Sequence, residues 1–256
     1  MGKFDGKVVV VTGGAGGIGR ASAIQFAEQG AKVLVADINL AGAEETALLI
    51  GDSALAVSVN TGDPASCEAM IATAIEAYGR VDVIFNNAGV GGDRHNTANM
   101  PLAEWQRVID INLSGVFYCS KYAIPEMQKV GAGVIINTAS IDGHMGMATL
   151  SPYTASKHGV LGLTKATALE YGRENIRSVA ICPGYVDTEM TREGFSEEEA
   201  AVLSASIPNV GGQPAQPEHI ANLVIWLASD EACYVNGSSH VVDAGLIAGF
   251  SLPEPA

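Results

Sequence analysis

The sequence predicts an α/β fold over residues 1–256, a single domain built on a doubly wound parallel sheet of about seven strands with helices on both faces. Three observations carry this. Short runs of strand character alternate with longer runs of helical spacing. The strand runs are apolar throughout, not at every second residue. No linker, repeat or low-complexity tract interrupts the alternation. Strands apolar on both sides must be covered on both sides, as in a parallel sheet between two helix layers with right-handed crossovers.

A β-branched run at 7–11 opens the sheet and a glycine cluster closes it. Residues 18–29 then have helical spacing, with Ile18, Ala21, Ile24, Phe26 and Ala27 mostly on one side, and Gly30 stops them as a C-cap does. The next strands are 32–36, 54–59 and 81–85, separated by helices at 41–49 and 64–78, the latter with Pro64 at its start. Helical segments follow at 101–111 and 113–129, then a strand at 133–138 and a long helix at 153–173. A strand at 178–182, a helix at 217–229 and a last strand at 240–242 complete the series. Two longer loops, 90–100 and 187–216, both follow strands, on the carboxyl edge where α/β sheets bind ligands. The second is long enough to be a substrate lid.

Composition narrows the function classes. The chain is 48% hydrophobic and 16% charged, which excludes a disordered chain. Its formal charge is −14, so neither nucleic acid nor an anionic membrane surface is an expected partner. No apolar run is long enough to span a bilayer, and Met1–Asp5 lacks the apolar stretch of a signal peptide, so a cytoplasmic location is expected. Cys67, Cys119, Cys182 and Cys233 are far apart with no CxxC and read as reduced core thiols. His95, His144, His158, His219 and His240 have no metal-ligand spacing, so no metal is expected. Trp105 and Trp226 read as packing residues.

The turn Thr12-Gly-Gly-Ala-Gly-Gly-Ile-Gly19 joins the first strand to the first helix. Glycines let backbone approach a pyrophosphate, and a helix N-terminus offers free N–H groups and a positive dipole end. The spacing is GxxxGxG, with Gly13, Gly17, Ile18 and Gly19 as the expected contacts. Asp37 ends the second strand. A carboxylate there accepts the hydroxyls of an adenosine ribose and repels a 2′-phosphate. No basic residue occupies the glycine turn, so NAD is the expected cofactor over NADP.

Tyr153-Thr-Ala-Ser-Lys157 sets a tyrosine and a lysine at i and i+4, one helical turn apart on one face. Free tyrosine is a poor base at neutral pH, and a nearby ammonium lowers its pKa by stabilising the phenolate. Together with Thr12–Gly19, Asn86-Asn87-Ala88-Gly89, Asn112, Ser140 and Pro183-Gly184, all in order, this pattern resembles the short-chain dehydrogenase/reductase family over about residues 4–245. The resemblance implies a Rossmann-like fold and a catalytic set of Asn112, Ser140, Tyr153 and Lys157. It makes Tyr153 the general acid/base, Lys157 the holder of the nicotinamide ribose, and Ser140 the hydrogen-bond donor to the substrate oxygen. Asn112 would hold a water that relays protons to Lys157. Asn87, Ala88 and Gly89 would line the adenosine side, and Pro183, Gly184, Val186 and Thr188 would clamp the carboxamide. One departure stands out: where relatives often carry Asp-Val after the third strand, this chain has Asn60-Thr61. Asn60 still offers an amide oxygen to adenine.

The implied reaction is NAD(H)-dependent interconversion of a secondary alcohol, cyclic or otherwise apolar, and a ketone. A 3-oxoacyl-thioester reductase is the alternative, disfavoured because its usual donor is NADPH. A non-catalytic NAD-binding sensor is the minor one, disfavoured because all four catalytic residues are present. The expected substrate pocket is Asp142, His144, Met145, Met147, Leu150, Tyr185 and Met190, with Phe195, Val202, Leu203 and Ile207 from the lid. Arg192 is the one cation in these segments. Asp142 and His144 are candidates for a polar contact to a second substrate oxygen. Glu197–Glu199 reads as the start of a solvated lid helix. The resemblance implies a homotetramer paired through helices 113–129 and 153–173, and the apolar tail 244–252 is expected to pack on a neighbouring subunit.

Overall fold

The computed structural model describes residues 2–206 and 213–249, leaving the side chains of Leu203 and Ser206 undescribed. The strands are β1 (Val8–Thr12), β2 (Lys32–Asp37), β3 (Ala54–Ser58), β4 (Val83–Asn86), β5 (Gly133–Thr138), β6 (Ile176–Pro183) and β7 (Ser239–Val242). All pair in parallel, in the order β3-β2-β1-β4-β5-β6-β7. The order reverses between β1 and β4, which opens a crevice at their carboxyl ends.

Alternation within each strand explains the continuous apolar runs. Val9 and Val11 of β1 enter a core with Phe26 and Val224, while Val10 enters a second core with Met70 and Met127. Helices α1 (Gly17–Glu28) and α9 (Pro217–Ala228) cover the first face. Helices α3 (Pro64–Tyr78) and α5 (Gly115–Val130) cover the second. The remaining helices are α2 (Leu40–Ile50), α4 (Leu102–Ile109), α6 (Ser151–Tyr171), α7 (Glu189–Gly194) and α8 (Glu197–Ser206).

Four sequence expectations change. The helical segments 101–111 and 113–129 do not break between them but run through a π-turn, Asp110–Ser114. The lid 187–216 carries α8 from Glu197, as expected, and before it a further short helix, α7, begun by Thr188 as N-cap. Trp105 and Trp226 keep over a third of their surface exposed. Trp226 lies two residues, or about 200° of helix, from the buried Val224. Cys233 is exposed, and Cys67 and Cys119 meet at 3.6 Å because α3 packs on α5. Among the described residues, no helix is long and apolar enough to cross a membrane, and no cluster of side chains is arranged to hold a metal ion.

Candidate active site

A cavity of about 260 Å³ lies at the carboxyl edge of the sheet. The glycine turn supplies Gly13, Gly16, Gly17 and Ile18 to its wall, and β2 supplies Asp37. Asn87, Ala88 and Gly89 enter after β4, Ser140 after β5, and Tyr153 and Lys157 from α6. Pro183, Gly184, Val186 and Thr188 complete the wall beyond β6.

The cavity has the chemistry of a dinucleotide cradle. Helix α1 begins at Gly16 with no side-chain cap and no acid in its first turn, so its leading N–H groups remain free for an anion. Gly17 adopts φ +49°, and a Cβ there would sit 3.1 Å from Thr188 Cγ2, so the start of the lid closes directly over the turn. Gly19 lies beneath the cavity, where a Cβ would collide with the Gly13 carbonyl oxygen. Its part is to let the helix pack close to the turn.

Thr12 and Asn87 fasten the turn to the sheet. Thr12 Oγ1 accepts from the Asn87 N–H at 3.0 Å and the Ala88 N–H at 3.1 Å. Asn87 Nδ2 donates to the Thr12 carbonyl at 3.2 Å. Asp37 is aimed by backbone, its carboxylate accepting from the Ala15 N–H at 3.0 Å and the Asn39 N–H at 2.9 Å. Arg20, one residue past the turn, is a cation the sequence reading passed over. Its guanidinium donates to the Ala15 carbonyl at 2.5 Å and Thr46 Oγ1 at 2.9 Å, and pairs with Glu45 at 3.2 Å.

Asn60 and Thr61 do not line the cavity. Asn60 Oδ1 accepts from the Gly62 N–H at 3.1 Å in an exposed turn. Thr61 is buried against α5, where a Cβ on Gly115 would come within 2.8 Å of its carbonyl oxygen.

Tyr153 and Lys157 lie one turn apart on α6, with Lys157 Nζ donating to the Thr138 carbonyl at 2.9 Å. Ser140 begins a single 3₁₀ turn, Ile141–Gly143, and its hydroxyl accepts from the Asp142 N–H at 3.1 Å. Asn112 is fully buried in the π-turn and braces the segment after β4: its Oδ1 accepts from the Val90 N–H and its Nδ2 donates to the Val90 carbonyl, both at 2.8 Å. Gly89 lies between Asn112 and Lys157: a Cβ there would be 3.2 Å from Asn112 Oδ1 and 3.6 Å from Lys157 Nζ.

Burial governs both titrating groups. It pushes the Tyr153 phenol up to about 12, with the Asp142 charge adding to the rise and the Ser140 hydroxyl opposing it. It pulls the Lys157 ammonium down to about 8. The expectation that Lys157 lowers the Tyr153 pKa is therefore not met by the protein alone, because desolvation of the phenolate prevails there.

A second cavity of about 130 Å³ shares Ser140, Tyr153, Gly184, Met190 and Thr191 with the first. The expected pocket residues Asp142, Met147, Leu150, Tyr185, Met190 and Phe195 line it. His144 and Met145 do not. His144 turns toward β6 and β7, its Nε2 lying 3.6 Å from Cys182 Sγ and 3.3 Å from Ser239 Oγ. Met145 is exposed, as is Val202, and Arg192 pairs with Asp187 at 2.8 Å outside the pocket. The Leu203 side chain and Ile207 lie outside the described residues.

Against this geometry stand the comparisons with known proteins. The family described as Enoyl-(Acyl carrier protein) reductase matches residues 13–247. Cyclohexanol dehydrogenase of Acinetobacter sp. (strain SE19) is 41% identical over 244 residues, covering 94% of this chain and 95% of that protein. The chain belongs to the short-chain dehydrogenase/reductase family. Levodione reductase has a similar solved structure, with a TM-score of 0.92 and 35% identity over 96% of this chain and all of that one. So has the 3-ketoacyl-(acyl-carrier-protein) reductase of Brucella melitensis complexed with NADH, with a TM-score of 0.88 and 33% identity over 95% of this chain and 99% of that one. This short-chain dehydrogenase/reductase is thus an oxidoreductase working between alcohols and ketones.

Within the family frame, Arg94 and Leu246 are pocket side chains that local sequence does not announce. Arg94 enters from the loop after β4, its Nη1 2.5 Å from Glu199 Oε1 on α8 and its guanidinium carbon 5.9 Å from the centre of the Phe195 ring. Nothing in the local sequence of that loop marks it. Leu246 comes from the tail expected to reach a neighbour. Asp243 folds the tail back by accepting from the Gly245 and Ile247 N–H groups at 2.8 Å each, so Leu246 lines the pocket of its own chain. Residues 250–252 of that tail lie outside the described residues.

Proposed function

We propose that this enzyme interconverts a cyclic or otherwise apolar secondary alcohol and its ketone with NAD(H), at the junction of the two cavities. The observation that carries this reading is the second cavity: Ser140 and Tyr153 stand at its boundary with the cofactor cradle, and its remaining wall is mainly apolar. The relatives named for cyclohexanol and levodione favour a cyclic substrate. Burying about 150 Å² of apolar ligand contributes roughly 4 kcal/mol before ordering costs.

The turn Gly13–Gly19 would hold the pyrophosphate, Asp37 the adenosine ribose, Lys157 the nicotinamide ribose, and Pro183, Gly184, Val186 and Thr188 the carboxamide. Asn60 is the weaker candidate for adenine, since its amide oxygen already serves Gly62. When bound, the oxidised nicotinamide supplies the hydride-accepting carbon and a positive charge beside Tyr153. Ser140 donates a hydrogen bond to the substrate oxygen and steadies the charge that gathers there. Tyr153 takes the hydroxyl proton in oxidation and returns it in reduction. Asn112 retains an oxygen lone pair for a water leading from Lys157 outward. The Asp37 charge favours NAD, because Arg20, which shares Ala15 with Asp37, is already engaged by Glu45 and the Ala15 carbonyl.

The assembly is a homotetramer, and the outer face of α5 and α6 supports this, with Phe117 half exposed and Leu169 almost fully so. The working location is the cytoplasm. The experiment for the reaction compares kcat/KM for cyclohexanol-type alcohols with small hydroxy acids, sugar alcohols and a 3-oxoacyl thioester, each with NAD(H) and NADP(H). A preference for the charged, polyhydroxylated or thioester compounds overturns the apolar-alcohol reading.

A further inference from the structure

Asp142 is 3% exposed, and its Oδ1 is a buried oxygen with no hydrogen-bond partner. Such atoms are rare in folded proteins, because a buried oxygen without a partner has lost its water for nothing in return. The other unpartnered buried atoms among the described residues are three hydroxyls and one amide oxygen, those of Ser22, Ser151, Ser178 and Asn86. Asp142 is the one carboxylate, and it alone of the five lines the cavity that holds Ser140 and Tyr153.

The surroundings account for it only in part: burial pushes the Asp142 carboxyl up, the Ser140 hydroxyl opposes the rise, and Oδ1 is still left without a partner. The turn that carries it is satisfied without the carboxylate: Asp142 N–H donates to Ser140 Oγ at 3.1 Å, and Gly143 N–H donates to the Ser140 carbonyl at 2.9 Å. The nearby basic side chains are engaged elsewhere. Lys157 Nζ donates to the Thr138 carbonyl at 2.9 Å, and His158 Nδ1 is 3.0 Å from the Thr154 carbonyl. Asp142 also works against proton transfer, since its charge helps to push the Tyr153 phenol up. A group that burdens both the fold and the general base is accounted for by something it binds.

We propose that Asp142 accepts a hydrogen bond from a second hydroxyl group of the substrate, so that the preferred substrate is an apolar diol or hydroxy-ketone and not a mono-alcohol. This rests on the dehydrogenase reading above and narrows its substrate class. The reacting carbinol loses hydride to nicotinamide and its proton to Tyr153, while the second hydroxyl passes through unchanged. Ser140 and Asp142 are two residues apart on one tight turn and line the same cavity, so vicinal and 1,3-diols are the first to test.

The test measures NAD reduction by the wild type, Asp142→Asn and Asp142→Ala with cyclohexanol and with the cis and trans cyclohexane-1,2- and 1,3-diols. Melting midpoints are taken alongside. In the wild type, kcat/KM for at least one diol should exceed that for cyclohexanol by tenfold or more. Asp142→Ala should cut that ratio at least tenfold, chiefly through KM for the diol, while the midpoint stays level or rises. Asp142→Asn keeps an acceptor oxygen and the shape, and should retain part of the preference. The proposal is overturned if no diol surpasses cyclohexanol in the wild type. It is equally overturned if Asp142→Ala weakens both substrates in proportion and lowers the midpoint, which marks a structural residue. If the wild type oxidises neither class, the dehydrogenase reading fails and the proposal falls with it.

Discussion

Lys157 stands over Tyr153, its ammonium nitrogen 5.4 Å from the centre of the phenol ring and tied to the Thr138 carbonyl. That distance is short enough to influence the phenolate, yet burial still holds the phenol near 12 in the protein alone. Tyr153 should therefore become an effective base only in the complex with oxidised cofactor, where a further positive charge joins Lys157. Tyr153→Phe removes the hydroxyl alone. It should lower kcat by 10²–10⁴-fold or more, the usual range for a general acid/base. NADH binding, followed by fluorescence titration, should hardly change. Retention of more than a few per cent of kcat excludes Tyr153 as the proton-transfer group.

Lys157 makes the fold depend on pH in a defined direction. Its folded value of about 8 lies below the ordinary 10.5, so between these limits the unfolded chain binds more protons and stability rises with pH. Below pH 8 the full cost of burying the ammonium is present. Lys157→Met has no such cost. The stability of the Met variant relative to wild type should be greatest near pH 7 and shrink by roughly 2–3 kcal/mol as pH approaches 10. Tyr153 adds little to the comparison, because loss of the neighbouring ammonium only favours the neutral phenol further, and the folded proteins hold it protonated below pH 10. Denaturant unfolding of the cofactor-free proteins at several pH values reads this out, and a gap that stays constant with pH refutes it.

What the sequence made legible follows from what is local. Glycine spacing, an i,i+4 pair and apolar periodicity each constrain backbone within a few residues, and these placed the glycine turn, Tyr153/Lys157 and the succession of strands along the chain; the order of the strands in the sheet is set by long-range pairing. Arg94 and Leu246 reach the pocket through long-range folding, and no local pattern announces them; Arg20 follows the glycine turn directly, but its ties to Thr46 and Glu45 on α2 are long-range. His144 was misplaced for a related reason: the 3₁₀ turn Ile141–Gly143 rotates successive side chains by about a third of a turn, so Asp142 faces the pocket while His144 meets Cys182 and Ser239. The pKa direction at Tyr153 depended on desolvation, which spacing alone does not report.

Asp37 should set cofactor choice. Its carboxylate is held by two backbone N–H groups, so it cannot easily swing away from a 2′-phosphate. Asp37→Ala should narrow the NAD/NADP ratio of kcat/KM at least tenfold, chiefly by raising KM for NAD. Arg20→Ala should leave the preference for NAD in place. An unchanged ratio in Asp37→Ala removes the assignment.

The exposed apolar side chains of α5 and α6 call for a partner. A groove of about 250 Å³ runs between these helices, with Phe117, Ile124 and Leu163 among its lining, and Leu169 projects nearby. An apolar face of this kind on a monomer is an association surface. Sedimentation velocity at micromolar concentration should give the mass of four chains, and Phe117→Glu with Leu169→Glu should shift it to smaller species. A stable wild-type monomer refutes the tetramer.

Arg94 gives the pocket a latent positive charge that Glu199 currently neutralises. The pair is 2.5 Å apart, but both side chains are more than 40% exposed, so solvent screens it and its contribution to stability is small. Its effect on specificity is larger, because it joins the loop after β4 to the lid helix α8 beside Phe195 and cancels the one cation lining the pocket. Glu199→Gln keeps the shape and frees the guanidinium. Alcohols bearing a carboxylate should then gain in kcat/KM relative to cyclohexanol by about tenfold, as a bidentate Arg–carboxylate contact becomes available. Raised salt should erode that gain, since the new attraction lies near the surface. Arg94→Ala should abolish it in the double variant while leaving KM for NAD unaltered. If Glu199→Gln shifts neutral and carboxylated alcohols alike, the pair serves only to close the lid, and the selectivity for neutral substrates comes from Asp142 and the apolar wall.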